Sequence, residues 1–95
     1  MSREKLGDDA VREALAELEG WSLEAGKLHR EYRFDDFVTA FGFMASAALV
    51  AESLNHHPEW QNVYGRVVVD LTTHDAGGIT ELDLRLARRM DALAG

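Results

Sequence analysis

The chain contains no cysteine, so disulfide scaffolds, thiolate metal sites and cysteine nucleophiles are all excluded. Basic residues are few. Lys and Arg number 10 against 17 Asp and Glu, for a formal charge of −7, and the basic residues form no cluster. Such a surface repels phosphate backbones, so no nucleic-acid partner is expected. Long apolar runs are also missing. The longest uncharged stretch, Phe37 to Ala51, falls short of the roughly 20 residues a membrane-spanning helix needs. The opening "MSREKLGDD" is charged and lacks the apolar stretch of a signal peptide. A soluble protein of the cytoplasm, with no membrane partner, is therefore expected. Repeats, linkers and low-complexity segments are absent. With 95 residues the expectation is a single domain over residues 1–95, with a thin core of its own.

The glycines fall where elements should end: Gly20, Gly26, Gly65 and the pair Gly77-Gly78. Asp8 or Asp9 can cap a first helix whose apolar positions are Val11, Ala14, Leu15 and Leu18. "WSLEAGKLHREYRF" alternates on both sides of "EAGK" and reads as a β-hairpin, with Arg30 on the parity of Leu28 and Tyr32. The longest helical segment begins after Asp35 or Asp36 and is expected to stop at Pro58, the only proline. Two short strands about Gly65 follow, with Val67, Val69, Leu71 and Thr73 on one face. A last helix opens at Thr80, with Asp83 in capping-box position and Ile79 and Leu84 at staple spacing. Leu82, Leu86, Met90 and Leu93 form its apolar stripe. The order αββαββα, with strand pairs joined by tight turns, predicts an α+β fold: a four-stranded antiparallel sheet with three helices on one face. The Phe37–Ala51 helix is apolar almost all round, and a small domain cannot surround it alone. That points to a homodimer or homotetramer built on this helix, on sheet edges, or on both.

The chemistry concentrates in "ESLNHHPEW", Glu52 to Trp60. If the helix runs on to Pro58, Glu52 and His56 lie four residues apart on one face. The residue before a proline is pushed out of the helical region, so His57 should point elsewhere. The helix dipole and Glu52 both favour protonated imidazole, close to where a proton donor and acceptor is useful at neutral pH. His74, at the end of the last strand beside "DAGG", can line a cleft with them. His29 reads as a solvated surface residue. Trp60 and Tyr64 can pack at a strand start or make an aromatic wall for a planar ligand. Thr73 and Asp83 can supply orienting hydrogen bonds. On these residues alone three readings stay open: caps and surface groups, a metal site, or metal-free acid–base work. Adjacent histidines chelate poorly and no thiolate helps, so no metal ligand is assigned.

The segment "ESLNHHPEWQNVYGRVVVDLTTHDAGGITELDLRLA" resembles the signature of the pterin-4a-carbinolamine dehydratases. The match comprises E-x₃-HHPEW, the N-V-Y of the next strand, the T-H-D turn and the closing T-x-x-D-x-x-L-A helix. The upstream helix–hairpin–helix order fits the same family. The resemblance implies a dimer or tetramer acting on a small-molecule pterin. The implied reaction is loss of water from 4a-hydroxytetrahydropterin to give quinonoid dihydropterin, without metal or organic cofactor. It recycles the cofactor of aromatic amino acid hydroxylases. Carried over by position, His56 and His74 become the acid–base pair and His57 binds and orients the pterin. Glu52, Pro58, Trp60 and Asp83 shape the pocket. Asn55 joins the substrate-binding set at a position that is aspartate in animal members, and Ala76 stands where those carry cysteine. The runner-up is a non-catalytic module of the same fold, a transcription-factor dimerisation cofactor or an assembly chaperone. An enzyme acting on a related pterin carries the same residues.

Overall fold

The computed structural model describes residues 3–95. Three helices, α1 (Asp8–Glu17), α2 (Phe37–Ser53) and α3 (Glu81–Ala94), accompany four strands, β1 (Ser22–Glu24), β2 (Lys27–Arg33), β3 (Glu59–Val63) and β4 (Arg66–Leu71). A single 3₁₀ turn, His74–Ala76, follows β4. The order is the expected αββαββα. The sheet is antiparallel throughout and runs β1-β2-β4-β3, so the last strand is inserted between the second and third.

The first hairpin turns through Ala25 and Gly26, whose φ values of 52 and 78 suit the right-handed twist of the flanking strands. The second turns at Tyr64 and Gly65. A Cβ on Gly65 would stand 2.4 Å from the carbonyl oxygen of Phe34, and the Phe34 amide donates to the Gly65 carbonyl at 2.7 Å. Only glycine lets these backbones meet.

Leu28 and Tyr32 on β2, with Val67, Val69 and Leu71 on β4, are buried under the helices. Against them pack Val11 of α1 and Leu18 at its C-cap, Ala40, Phe43, Ala47 and Ala51 of α2, and Leu86 and Met90 of α3. Each large apolar side chain taken fully from water contributes about 1.5–3 kcal/mol. Arg30 faces the core, as its parity required. Its Nη1 donates to Asp91 at 2.9 Å, and the same carboxylate accepts from Trp21 Nε1 at 3.0 Å and from the Tyr32 hydroxyl. Burial first, and then Asp91, push the Tyr32 phenol well above its ordinary range.

Several boundaries differ from expectation. The N-cap of α1 is Gly7, and Asp8 and Asp9 occupy the first turn, where the dipole favours carboxylates. The cap of α2 is Asp36, which accepts from the Thr39 amide at 2.8 Å. Helix α2 ends at Ser53, well before Pro58. Asn55 takes the left-handed conformation, φ 51. The Asn55 amide donates to the Glu52 carbonyl and the His56 amide to the Ala51 carbonyl, each at 3.0 Å. These two bonds form a Schellman C-cap, and asparagine tolerates its left-handed position better than most residues. Only one stripe of α2 is buried. Val38, Phe41 and Leu49 on the other side are 78%, 54% and 74% exposed. The Thr80–Asp83 capping box is present, and Ile79 and Leu84 are both buried beside it. Leu93 is exposed, so the stripe of α3 ends at Met90.

Candidate active site

The Schellman turn decides where the two adjacent histidines go. Because the helix stops at Ser53, Glu52 and His56 are not helical neighbours, and Glu52 pairs with His57 instead. The Glu52 carboxylate lies 2.8 Å from His57 Nε2, with both side chains mostly in solvent. His56 turns inward. Its Nε2 lies 2.5 Å from Oδ1 of Asp83 on α3. His56 is 7% exposed and Asp83 not at all.

Asp83 is held by the start of its own helix. Its Oδ2 accepts from the Thr80 amide at 2.9 Å and from the Thr73 hydroxyl at 2.8 Å. Thr73 in turn bonds the Thr80 hydroxyl at 2.8 Å. Thus the capping box that begins α3 also supplies the partner of an imidazole 27 residues earlier in the chain. A side chain with no exposed surface offers nothing to a ligand directly. Asp83 can act only through the side chains it bonds, His56 and Thr73.

His74 opens the 3₁₀ turn after β4 rather than ending the strand. It is exposed, and its Nε2 lies 2.9 Å from Glu59 on β3. Glu59 also accepts from Lys27 at 2.6 Å. That hydrogen bond, more than any other influence, holds the Glu59 carboxyl below the usual carboxylate range.

The chain ends of α2 and β4 come together here, and His56, His57 and His74 line one cavity of about 250 Å³. Asn55 and Thr73 line it too, as do Arg3, Thr72 and Asp75, which the sequence patterns did not single out. The Arg3 guanidinium donates to the Asn55 carbonyl at 3.2 Å. Glu52, Pro58, Trp60 and Asp83 are not among the lining residues. Trp60 sits half-buried against the core, and Tyr64 stands in solvent at the distant β3–β4 turn. His29 is paired at 2.8 Å with Asp70 on the outer sheet face, not freely solvated. A second cavity of about 340 Å³ opens between Lys5, Leu6, Leu23 and Gly78 and contains no histidine. Among the described residues, no three His, Asp or Glu side chains converge as a metal site requires, and no helix is long and apolar enough to cross a membrane.

The three cavity histidines share one feature. Each has Nε2 on a carboxylate: His56 on Asp83, His57 on Glu52, His74 on Glu59. A neutral imidazole that donates Nε2–H carries its lone pair on Nδ1, free to accept a proton. Three such rings about one small cavity can give and take protons on more than one side of a bound molecule. The arrangement suits acid–base chemistry on a small molecule.

The family model for pterin 4 alpha carbinolamine dehydratase matches residues 4–93. A Solibacter usitatus protein, provisionally named a pterin-4-alpha-carbinolamine dehydratase, is 60% identical over 90 residues and 95% of each chain. A Brucella ovis protein of the same provisional name is 53% identical over 97 residues, with both chains fully covered. The crystal structure of a Brucella melitensis protein described as a transcriptional coactivator/pterin dehydratase superposes with a TM-score of 0.94 at 52% identity. That superposition covers 97% of this chain and all of the other. The chain belongs to the pterin 4 alpha carbinolamine dehydratase family.

Proposed function

We propose that the protein dehydrates 4a-hydroxytetrahydropterin to quinonoid dihydropterin, restoring in the cytoplasm the cofactor of aromatic amino acid hydroxylases. The observation that carries this reading is the cavity bordered by three imidazoles, each with a carboxylate on Nε2. One imidazole delivers a proton to the hydroxyl on C4a as the C–O bond breaks. Another accepts the proton from N5 as the C4a–N5 double bond forms, and water leaves. His56 and His74 take these roles and His57 orients the ring. Asn55 offers a polar contact at the cavity wall, and Thr73 holds Asp83 behind it. Glu52 and Asp83 act through His57 and His56, and Pro58 and Trp60 shape the backbone and core behind them. Each proton transfer contributes about 10²–10⁴-fold. No metal and no organic cofactor enters this scheme.

The test follows the decay of freshly generated 4a-hydroxytetrahydropterin with and without the protein. Acceleration is expected, with His56→Ala and His74→Ala each at least about tenfold slower. An unchanged decay at micromolar protein would defeat the proposal.

The exposed apolar face of α2 supports a second element of the reading. Val38, Phe41 and Leu49 form a patch that a second copy of the chain would cover, giving a homodimer or homotetramer, with the free edge of β3 as a further contact. The same patch favours the alternative, a non-catalytic interaction module. Loss of pterin turnover with retained partner binding would select that alternative.

A further inference from the structure

We propose that Glu59, supported by Lys27, is a positioning residue that fixes the tautomer and direction of His74; this rests on the reading of His74 as an acid–base group. The two histidines given acid–base roles, His56 and His74, are held by different means. His56 is enclosed by packing. The His74 side chain is 76% exposed, on a single 3₁₀ turn, so surrounding side chains do little to hold its ring. The contact that aims it is the one from Nε2 to Glu59 at 2.9 Å.

Glu59 is in turn fixed from the opposite side. Lys27 reaches from β2 across β4 to the other carboxylate oxygen at 2.6 Å. The register explains why a cation is needed there. Glu59 stands opposite Asp70, which also stands opposite His29 and pairs with it at 2.8 Å. Two carboxylates side by side on the outer face would repel each other. Lys27 offsets that repulsion and keeps Glu59 ionised, as an acceptor only. Asp75, beside His74, and Arg3, His56 and His57 line the same cavity.

An ionised Glu59 accepts a hydrogen bond and cannot donate one. Neutral His74 therefore keeps its hydrogen on Nε2 and its lone pair on Nδ1, the nitrogen left for substrate. Glutamine at the same place can donate from its amide, which permits the opposite tautomer and removes the charge.

Nitrogen-15 NMR of the imidazole rings in the ligand-free protein tests this directly. Wild type is expected to show His74 mainly as the Nε2–H tautomer. Glu59→Gln should give a mixture, with kcat reduced about tenfold and KM changed far less. Lys27→Met should move both readings the same way by a smaller amount. The melting temperature of each variant should stay near that of wild type, because exposed ion pairs add little stability. An even tautomer mixture in wild type, or a Glu59→Gln protein with unaltered tautomer and kcat, overturns the proposal. Wild type without dehydratase activity would instead defeat the reading of the reaction, and the tautomer measurement would still decide what Glu59 does to His74.

Discussion

Replacing Asp83 by alanine tests how the fold and the site are joined. The carboxylate is fully buried and has three partners: His56 Nε2 at 2.5 Å, the Thr73 hydroxyl at 2.8 Å and the Thr80 amide at 2.9 Å. Removing one partner of a buried pair costs about 3–5 kcal/mol, because the other is left without compensation. Loss of the reciprocal half of the α3 capping box lies within the same figure, since the Thr80 hydroxyl still caps the helix by accepting from the Leu82 amide. A domain of this size holds about 5–15 kcal/mol in total, so Asp83→Ala should surrender a large share of it. At about 4–8 °C for each kcal/mol, the melting midpoint should fall by at least about 12 °C. Asp83→Asn keeps an oxygen for the Thr80 amide and should lose less. It places an amide group near His56, however, and so disturbs the ring that the proposed reaction needs. Urea and thermal melts followed by tryptophan fluorescence, at matched protein concentration so that self-association cancels, give the stabilities. A double-mutant cycle with His56→Ala then isolates the pair, and the two losses should be well short of additive. If Asp83→Ala melts within about 1 kcal/mol of wild type, the carboxylate does not join α3 to His56 as described.

Three further outcomes are expected. Leu49→Glu places a charge in the exposed α2 patch and should shift the protein to a smaller assembly in sedimentation without lowering its helix content; an unchanged mass refutes that interface. Asn55→Gly should leave stability within about 0.5 kcal/mol, whereas Asn55→Val should lose about 1–3 kcal/mol, since a β-branched residue is strained at φ 51. The third concerns acid. The Thr39 backbone amide, above all, holds Asp36 below the ordinary carboxylate range. Its folded-state value is the lower one, so its contribution is complete above the unfolded value of about 4 and is lost as pH falls through the folded value. Urea midpoints measured from neutral pH downward should therefore decline less for Asp36→Asn, which caps without titrating. Parallel declines would show that the cap does not contribute to acid sensitivity.

Much of the architecture was legible because it is locally encoded. The alternation about "EAGK", the capping pair Thr80 and Asp83, and the inward Arg30 follow from spacing of two or three residues. What spacing could not reveal are bonds made across the chain. Glu52 stands four residues from His56 and was the obvious local partner, while Asp83 stands 27 away and wins. The misleading cue was Pro58. It does restrict His57, but the helix had already ended, and the asparagine at position 55 was the available sign of a left-handed stop. Glu59 lies inside the "HHPEW" motif, yet its role depends on the register that sets β3 beside β4. Arg3 belongs to a segment without periodicity and gave no signal at all. The family signature implied a shared site for the histidines, but it could not say which carboxylate serves which ring.

The turn at Asn55 has a consequence for polarity. It ends α2 at the place where α3 begins, so the His56–Asp83 pair bridges a helix C-terminus and a helix N-terminus. The cation-forming group stands at the negative end of one dipole and the anion at the positive end of the other. Exchanging the two side chains would keep the same atoms at similar separation but set both charges against both helices. The site therefore has a direction built in by the backbone, and a histidine and an aspartate are not interchangeable across it.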